Sequence, residues 1–309
     1  MAKRRRRSGR DRPGPAGFLV VDKPAGCTSH DVVDAARRWL GIRRIGHLGT
    51  LDPQATGVLP LAVRGATKLV GFFQECGKSY VGTVRLGVTT DTLDGEGEVL
   101  TRHAGALPDE DTVREAMRAF SGEIEQIPPM FSAVKRDGVP LHRLARQGEE
   151  VERDPKKVVI HRLELLRFEP PDLDIEVDCG PGTYVRTLAH DLGQALGCGA
   201  YLAALRRIRS EPFGIEQALG FEACEEAARE RRLESMLIPP DQALGWPVVR
   251  LAAPAIDRLE HGGDIAPGEH ERARPGDRFS GVDADGRFVA ALELRADRRL
   301  WPLRVLPGR

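Results

Sequence analysis

Gly46-His47-Leu48-Gly49-Thr50-Leu51-Asp52-Pro53-Gln54-Ala55-Thr56-Gly57-Val58-Leu59-Pro60 sets one carboxylate into a glycine- and proline-bounded loop between an amphipathic helical pattern and an apolar run. The Asp-Pro step biases Asp52 away from helical backbone angles, while Gly46, Gly49 and Gly57 let the chain turn sharply and let another molecule approach the backbone. The carboxylate is therefore presented by a loop. With an ordinary pKa near ~3.9 it is ionised at neutral pH, so Asp52 can attack carbon without the adjacent base that a serine needs. Taken alone, the same step also fits a turn aspartate bonded to its own backbone.

Upstream, Phe18 to Gly26 reads as a short apolar strand ending in a Pro/Gly turn. Cys27-Thr28-Ser29-His30-Asp31 offers caps for a helix over Val32 to Leu40, with Val32, Val33, Ala36 and Leu40 on one face. Arg37, Arg38, Arg43 and Arg44 crowd its end, which suits a helix C-terminus and also places positive charge beside the Asp52 loop. Downstream, Lys68 to Phe73 continues a helical pattern, Tyr80 to Gly87 alternates as a strand, and Thr90 to Gly97 is a polar turn. Val113, Ala116, Met117 and Phe120 mark a core-packed helix over Asp111 to Phe120. Gln126 to Gly138 is too proline-rich for a regular element and sets apolar residues beside Lys135 and Arg136, as an RNA-gripping insertion would. Leu173, Ile175, Val177 and Cys179 alternate with Asp172, Asp174, Glu176 and Asp178, predicting a half-buried strand with an acidic outer face. From about Trp246, short strand patterns joined by Gly, Pro and Asp turns predict a small β-barrel of its own.

A chain of 309 residues, 41% hydrophobic, can fill a large domain and a smaller companion. Lys plus Arg and Asp plus Glu each total 46, so overall charge gives no steer towards nucleic acid, but its distribution does. Lys3, Arg4, Arg5, Arg6, Arg7, Arg10 and Arg12 face a single acid, Asp11, a composition expected to be disordered when free, with phosphate as its natural partner or solubility as its use. No apolar secretory core follows this tail and no run reaches a membrane span, so a cytoplasmic protein is expected. The five cysteines are widely separated without a Cys-x-x-Cys pair, and the eight histidines lack metal-ligand spacing, so reduced thiols and no metal are expected.

The unbroken Gly46 to Gly57 string, followed by Val-Leu-Pro-Leu and Gly65-Ala66-Thr67-Lys68, resembles the active-site motif of the bacterial tRNA pseudouridine synthase B (TruB) family. So do Gly182-Thr183-Tyr184-Val185-Arg186-Thr187 and the proline-rich segment running into Leu141-His142-Arg143-Leu144-Ala145-Arg146-Gln147-Gly148, where His142 stands in place of a family tyrosine. The resemblance implies an α+β fold: a pseudouridine synthase catalytic domain over 16–243 with a central mixed, largely antiparallel sheet. A thumb-like insertion is implied at about 124–152 and a PUA-like RNA-binding β-barrel over 244–309, after a basic tail at 1–15. It assigns Asp52 as nucleophile and Arg186 as its partner, a guanidinium fork expected to leave one carboxylate oxygen free. It also implies that Tyr80 stacks on the target base and helps move a proton, that His47 contacts RNA, that Tyr184 and Leu205 line the uracil pocket, and that Asp94 joins the polar network. Arg206, Arg207 and Lys135 are the expected contacts to the RNA backbone.

The activity so implied is isomerisation of uridine 55 in the TΨC arm of tRNA, without cofactor or obligatory protein partner, by a monomer. The absence of a P-loop or dinucleotide fingerprint agrees with a reaction that needs no nucleotide energy or redox. A guide-RNA-dependent synthase of the H/ACA type and a non-catalytic tRNA-binding or folding protein are the alternatives. A glycosidase is disfavoured, because no second acid accompanies Asp52 in the motif.

Overall fold

In the computed structural model, which describes residues 14–132, 134–136, 138–149, 151–268 and 272–306, the Asp52 loop leads into a strand at the heart of a ten-stranded sheet. The basic tail expected at the N-terminus lies outside these residues up to position 13, as do the side chains of Lys135 and His142. Gly17–Lys23 runs antiparallel to Thr56–Val63, and Leu219–Gly220 joins its other edge in parallel. Thr56–Val63 is followed by Ala200–Ser210 in parallel, then Lys78–Leu86, Asp172–Cys179, Lys156–Glu169 and Gly122–Gln126, all antiparallel. The expected α+β fold with a mixed, largely antiparallel sheet is the one observed.

Local chemistry sets the helices that flank the loop. Thr28 and Asp31 form a capping box at the start of Ser29–Leu40, and Gly41 ends it at φ 65°. Val32, Val33, Ala35, Ala36 and Leu40 fill its buried face. Val185–Ala195 packs on the sheet through Leu188, Ala189 and Leu192. A Cβ at Gly193 would stand 2.2 Å from the Ala200 amide nitrogen, so only glycine allows that approach. The helical pattern expected over Lys68 to Phe73 lies within the 3-10 helix Arg64–Phe73.

The acidic outer face of Asp172–Cys179 is covered by arginines of neighbouring strands. Arg85 meets Asp172 at 2.6 Å, Arg167 meets Asp174 at 2.7 Å, and Arg162 meets Glu176 at 2.6 Å. These pairs are exposed enough to contribute little singly, and Asp178, 4.0 Å from Arg162, is the most loosely paired of the four acids. The proline-rich insertion connects two strands that pair with each other, Gly122–Gln126 and Lys156–Glu169. It is irregular over 127–132, as expected, but further on holds a small hairpin, Lys135–Arg136 against Val139–Pro140, ahead of the helix Leu141–Arg146.

The expected C-terminal β-barrel is corrected. Val248–Arg250, Arg278–Val282, Phe288–Leu294 and Leu300–Val305 form a sheet in that order, and among the described residues its two outer strands do not pair. Both faces of this open sheet are covered. Leu292, Leu294 and Leu300 pack with Leu259 of the helix Ala253–Glu260, while Ala291 and Leu306 join Phe18, Leu69 and Phe73 of the large sheet's own layer. Lys68 Nζ donates to the Val305 carbonyl at 2.7 Å, and the Arg278 guanidinium lies over Phe72 and Trp246. The C-terminal sheet thus shares a core with the rest of the chain. Among the described residues no helix is long and apolar enough to cross a membrane.

Candidate active site

Apolar residues root the Asp52 loop in two different cores, Leu48 in one and Leu51 with Ala55 in the other. Asp52 is left between the anchors. The loop backbone is then held from three directions. Ser29 Oγ donates to the Leu51 carbonyl at 3.0 Å and accepts from its amide at 2.8 Å. Lys23, fully buried, spends its Nζ on the carbonyls of Pro24, Cys27 and Pro53 at 2.8, 2.7 and 2.9 Å. Arg207, also fully buried, donates to the carbonyls of Val58, Gly49 and Thr50 at 2.7, 3.1 and 3.3 Å. A buried cation needs such partners, since burying it unpaired is costly. Here three of the partners, the carbonyls of Gly49, Thr50 and Pro53, belong to the loop that carries the nucleophile. Burial lowers the pKa of Lys23 from its ordinary value, with Cys27 and Asp52 opposing.

Gly57 makes the Arg207 clamp possible. At φ +101° its Cβ position falls 2.1 Å from the Arg207 carbonyl oxygen, so the strands Thr56–Val63 and Ala200–Ser210 meet at this register only through a glycine.

Arg186, at the start of the Val185–Ala195 helix and only 6% exposed, faces two carboxylates. Its Nη2 lies 3.1 Å from Asp52 Oδ2 and 3.3 Å from Oδ1, and its Nη1 lies 3.4 Å from Asp94 Oδ2. Nη2 also donates to the Phe131 carbonyl at 2.8 Å. The expected two-pronged fork on Asp52 with one oxygen left free is therefore replaced by one nitrogen straddling both oxygens, because Asp94 claims the other nitrogen. The Asp52 side chain still keeps 43% of its surface, so an edge of the carboxylate stays open to a ligand. Burial raises its pKa above the usual aspartate value; Arg186 opposes this, Asp94 and Glu96 add to it, and Lys23 opposes. Asp94 is itself fixed, accepting from Thr92 Oγ1 at 2.5 Å and from the Glu96 amide at 3.0 Å.

Tyr80 sits on Lys78–Leu86 directly between Val177 and Arg207 of the flanking strands, 7% exposed. Burial raises its phenol pKa, with Arg207 pulling the other way. A neutral ring suits stacking, while proton removal by the phenolate is opposed by burial. His47 is half-buried, its Nδ1 without a hydrogen-bond partner among the described residues. Burial lowers its pKa, with Arg207 and His30 reinforcing, so it is neutral. Tyr184 is the residue just before the Arg186 helix, and Leu205 packs beside the core cluster opposite Gly82.

Two of the residues expected at the RNA backbone have other partners. Arg207 has no exposed surface and cannot meet a phosphate; its run with Arg206 and Arg209 looked basic in sequence, but Arg207 alone of the three is buried, a register shift against Lys78–Leu86 leaving Arg209 exposed. Arg206 forms a two-nitrogen pair with Asp22, at 2.7 and 3.1 Å. Lys23, Ser29 and Gln126 were missed as site residues. The sign for Lys23 was the Asp22-Lys23-Pro24 step that ends the first strand, which resembles a segment near the start of the family's sequences.

The family description "TruB family pseudouridylate synthase (N terminal domain)" matches residues 37–185, and "tRNA pseudouridylate synthase B C-terminal domain" matches 186–245. Asp52 falls in the first and Arg186 in the second. The chain is 46% identical to tRNA pseudouridine synthase B of Syntrophotalea carbinolica over 80% of each chain. It is 42% identical to that of Pseudomonas aeruginosa over 94% of this chain and 96% of the relative. Among solved structures it resembles a chain from "Structure of H/ACA RNP bound to a substrate RNA containing 2'-deoxyuridine", with a TM-score of 0.69 and 26% identity over 95% of this chain and 86% of that one. A chain of a Cbf5-Nop10-Gar1 complex matches with a TM-score of 0.67 and 29% identity, over 90% and 78%. With an aspartate presented by a braced loop, a buried arginine across from it and this degree of similarity along its length, the chain belongs to the TruB family of pseudouridylate synthases.

Proposed function

We propose that the protein isomerises uridine 55 in the TΨC arm of tRNA to pseudouridine, acting alone in the cytoplasm as a monomer, with no guide RNA, cofactor or obligatory protein partner. The observation that carries this reading is the half-open Asp52 carboxylate, braced by Lys23, Ser29 and Arg207 and held by Arg186 at 3.1 Å. The target atoms of a loop uridine are out of reach while the base is stacked, so the nucleotide is flipped into the site at a cost of a few kcal/mol. Tyr80, with Tyr184 and Leu205, receives the base, and aromatic stacking contributes roughly 1–3 kcal/mol to holding it. His47, as a neutral imidazole, contacts the RNA.

Asp52 attacks carbon, at C6 of the base or C1′ of the ribose, and the N1–C1′ bond breaks. The uracil turns, C5 bonds to C1′, and the bond between Asp52 and carbon breaks with its electron pair returning to the carboxylate; the C5 proton leaves to solvent and N1 takes up a proton. Substrate and product are isomers, so no co-reactant enters the balance. Arg186 keeps the carboxylate ionised against its burial and fixes its direction. The insertion at 124–152 grips the arm as a thumb, and the C-terminal residues from 244 onward contact the RNA further out.

The kinship with H/ACA structures favours one second reading, dependence on a guide RNA. Release of tritium from a tRNA transcript labelled at uridine C5, with no guide or other protein added, separates the two. Release by the intact protein and none by Asp52→Asn supports the stand-alone reading. Binding of tRNA without release by either overturns it.

A further inference from the structure

Gln126, the last residue of Gly122–Gln126, lies at the root of the insertion and is 2% exposed. Both ends of its amide are used on one residue of another element. Its Oε1 accepts from the Tyr184 backbone amide at 3.0 Å, and its Nε2 donates to the Tyr184 carbonyl at 3.3 Å. Tyr184 occupies the cap position of the Arg186 helix and makes no side-chain cap of its own. Gln126 therefore caps that helix from outside, and a helix cap fixes the direction of its first turn.

A second link joins the same two elements. The Phe131 carbonyl, five residues along the insertion, accepts from Arg186 Nη2 at 2.8 Å. Between these two contacts stand Pro128 and Pro129, whose fixed φ angles make the tether stiff, and Arg153 Nη1 donates to the Pro128 carbonyl at 3.2 Å. The insertion's root thus grips the helix at 184 and again at 186, and Arg186 in turn faces Asp52 and Asp94.

We propose that Gln126 is a positioning residue that joins the base of the insertion to the first turn of the Arg186 helix, so that engagement of RNA by the insertion and alignment of Arg186 on Asp52 are set by one joint. This rests on the reading that the chain isomerises uridine in tRNA. Gln126 touches neither RNA nor the reacting atoms; it acts through Tyr184 and Arg186.

The test compares wild type, Gln126→Met, which keeps length and volume without either hydrogen bond, and Gln126→Asn, which keeps the amide one methylene short. Single-turnover tritium release, tRNA affinity, melting temperature and the pH dependence of the rate are measured on the full chain with unmodified tRNA transcript. A misplacement on the order of 1 Å at a catalytic group costs about 10²-fold, so Gln126→Met is expected to lose ~10–100-fold in rate with tRNA affinity within ~3-fold of wild type, and Gln126→Asn to fall between. The groups facing Asp52 are Arg186, Asp94, Glu96 and Lys23. Loosening Arg186 alone moves the acid limb of the profile to higher pH, an effect that loss of folded protein does not produce.

An unchanged rate and acid limb would sink the proposal. So would rate and melting temperature falling together with the acid limb unmoved, which would make Gln126 merely structural, or a loss residing wholly in tRNA affinity. Absence of release by wild type would instead strike the proposed function, and with it the joint, which aligns Arg186 for that reaction; release by wild type with Gln126→Met unimpaired would strike the joint alone.

Discussion

Replacing Gly57 by alanine tests whether the catalytic loop is held through the close contact between Thr56–Val63 and Ala200–Ser210. The backbone stands at φ +101°, where an L side chain is strained by about 1–3 kcal/mol. The new methyl would also lie 2.1 Å from the Arg207 carbonyl oxygen and 2.9 Å from its carbon and nitrogen, all backbone atoms that no rotamer change can move. Restoring an ordinary contact of ~3.5 Å separates the strands by on the order of 1 Å, and overpacking of that kind costs about 1–3 kcal/mol more. The same displacement pulls the Arg207 guanidinium away from the Gly49, Thr50 and Val58 carbonyls. Gly57→Ala should therefore lose about 2–6 kcal/mol in urea unfolding and ~10²-fold in single-turnover rate in whatever protein remains folded. Gly41→Ala is the control: the helix cap sits at φ +65° with nothing within 4 Å of the added methyl, so it should cost about 1–2 kcal/mol and leave the rate alone. Equal losses of stability in the two variants, or an unimpaired rate in Gly57→Ala, would refute the reasoning.

Asp52→Asn should abolish tritium release without lowering the melting temperature at neutral pH. Burial raises the Asp52 pKa, so the ionised carboxylate opposes folding above the usual aspartate range and its removal takes nothing away. For the same reason the acid limb of kcat/KM should lie above the ordinary aspartate value, activity being lost as pH falls through the raised pKa; a limb at or below that value would show that Arg186 outweighs burial. Lys23→Met leaves three buried carbonyls without their donor, and a loss of about 3 kcal/mol in urea unfolding is expected, a melt within error of wild type contradicting it. Deleting residues 246–309 uncovers Phe72 and the cluster around Phe18, Leu69 and Phe73; calorimetry should find one unfolding transition in the full chain and an aggregation-prone truncated one, and two independent transitions would refute the shared core.

Much of the site was legible because its signals are local. The Asp-Pro step, the Thr28–Asp31 cap and the alternation of Lys78–Leu86 and Asp172–Cys179 depend on neighbours within a few residues, and each element stands where the pattern put it. The motif resemblance added Arg186 opposite Asp52, over a hundred residues away, and the two do meet.

What sequence alone determined, then, was which residue is presented and what its loop is made of; what only the tertiary structure decided was where each charge finds its partner. Arg207 read as a phosphate ligand and is a buried clamp, the acidic face of Asp172–Cys179 is neutralised by Arg85, Arg162 and Arg167, and Gln126 binds a backbone far along the chain. The C-terminal strands looked like a barrel and are an open sheet, one face of which packs on Ala66, Leu69 and Phe73. The physical reason is the same throughout. Periodicity fixes which way a side chain points from its own element, whereas cross-strand register and the packing of distant layers fix what it meets there.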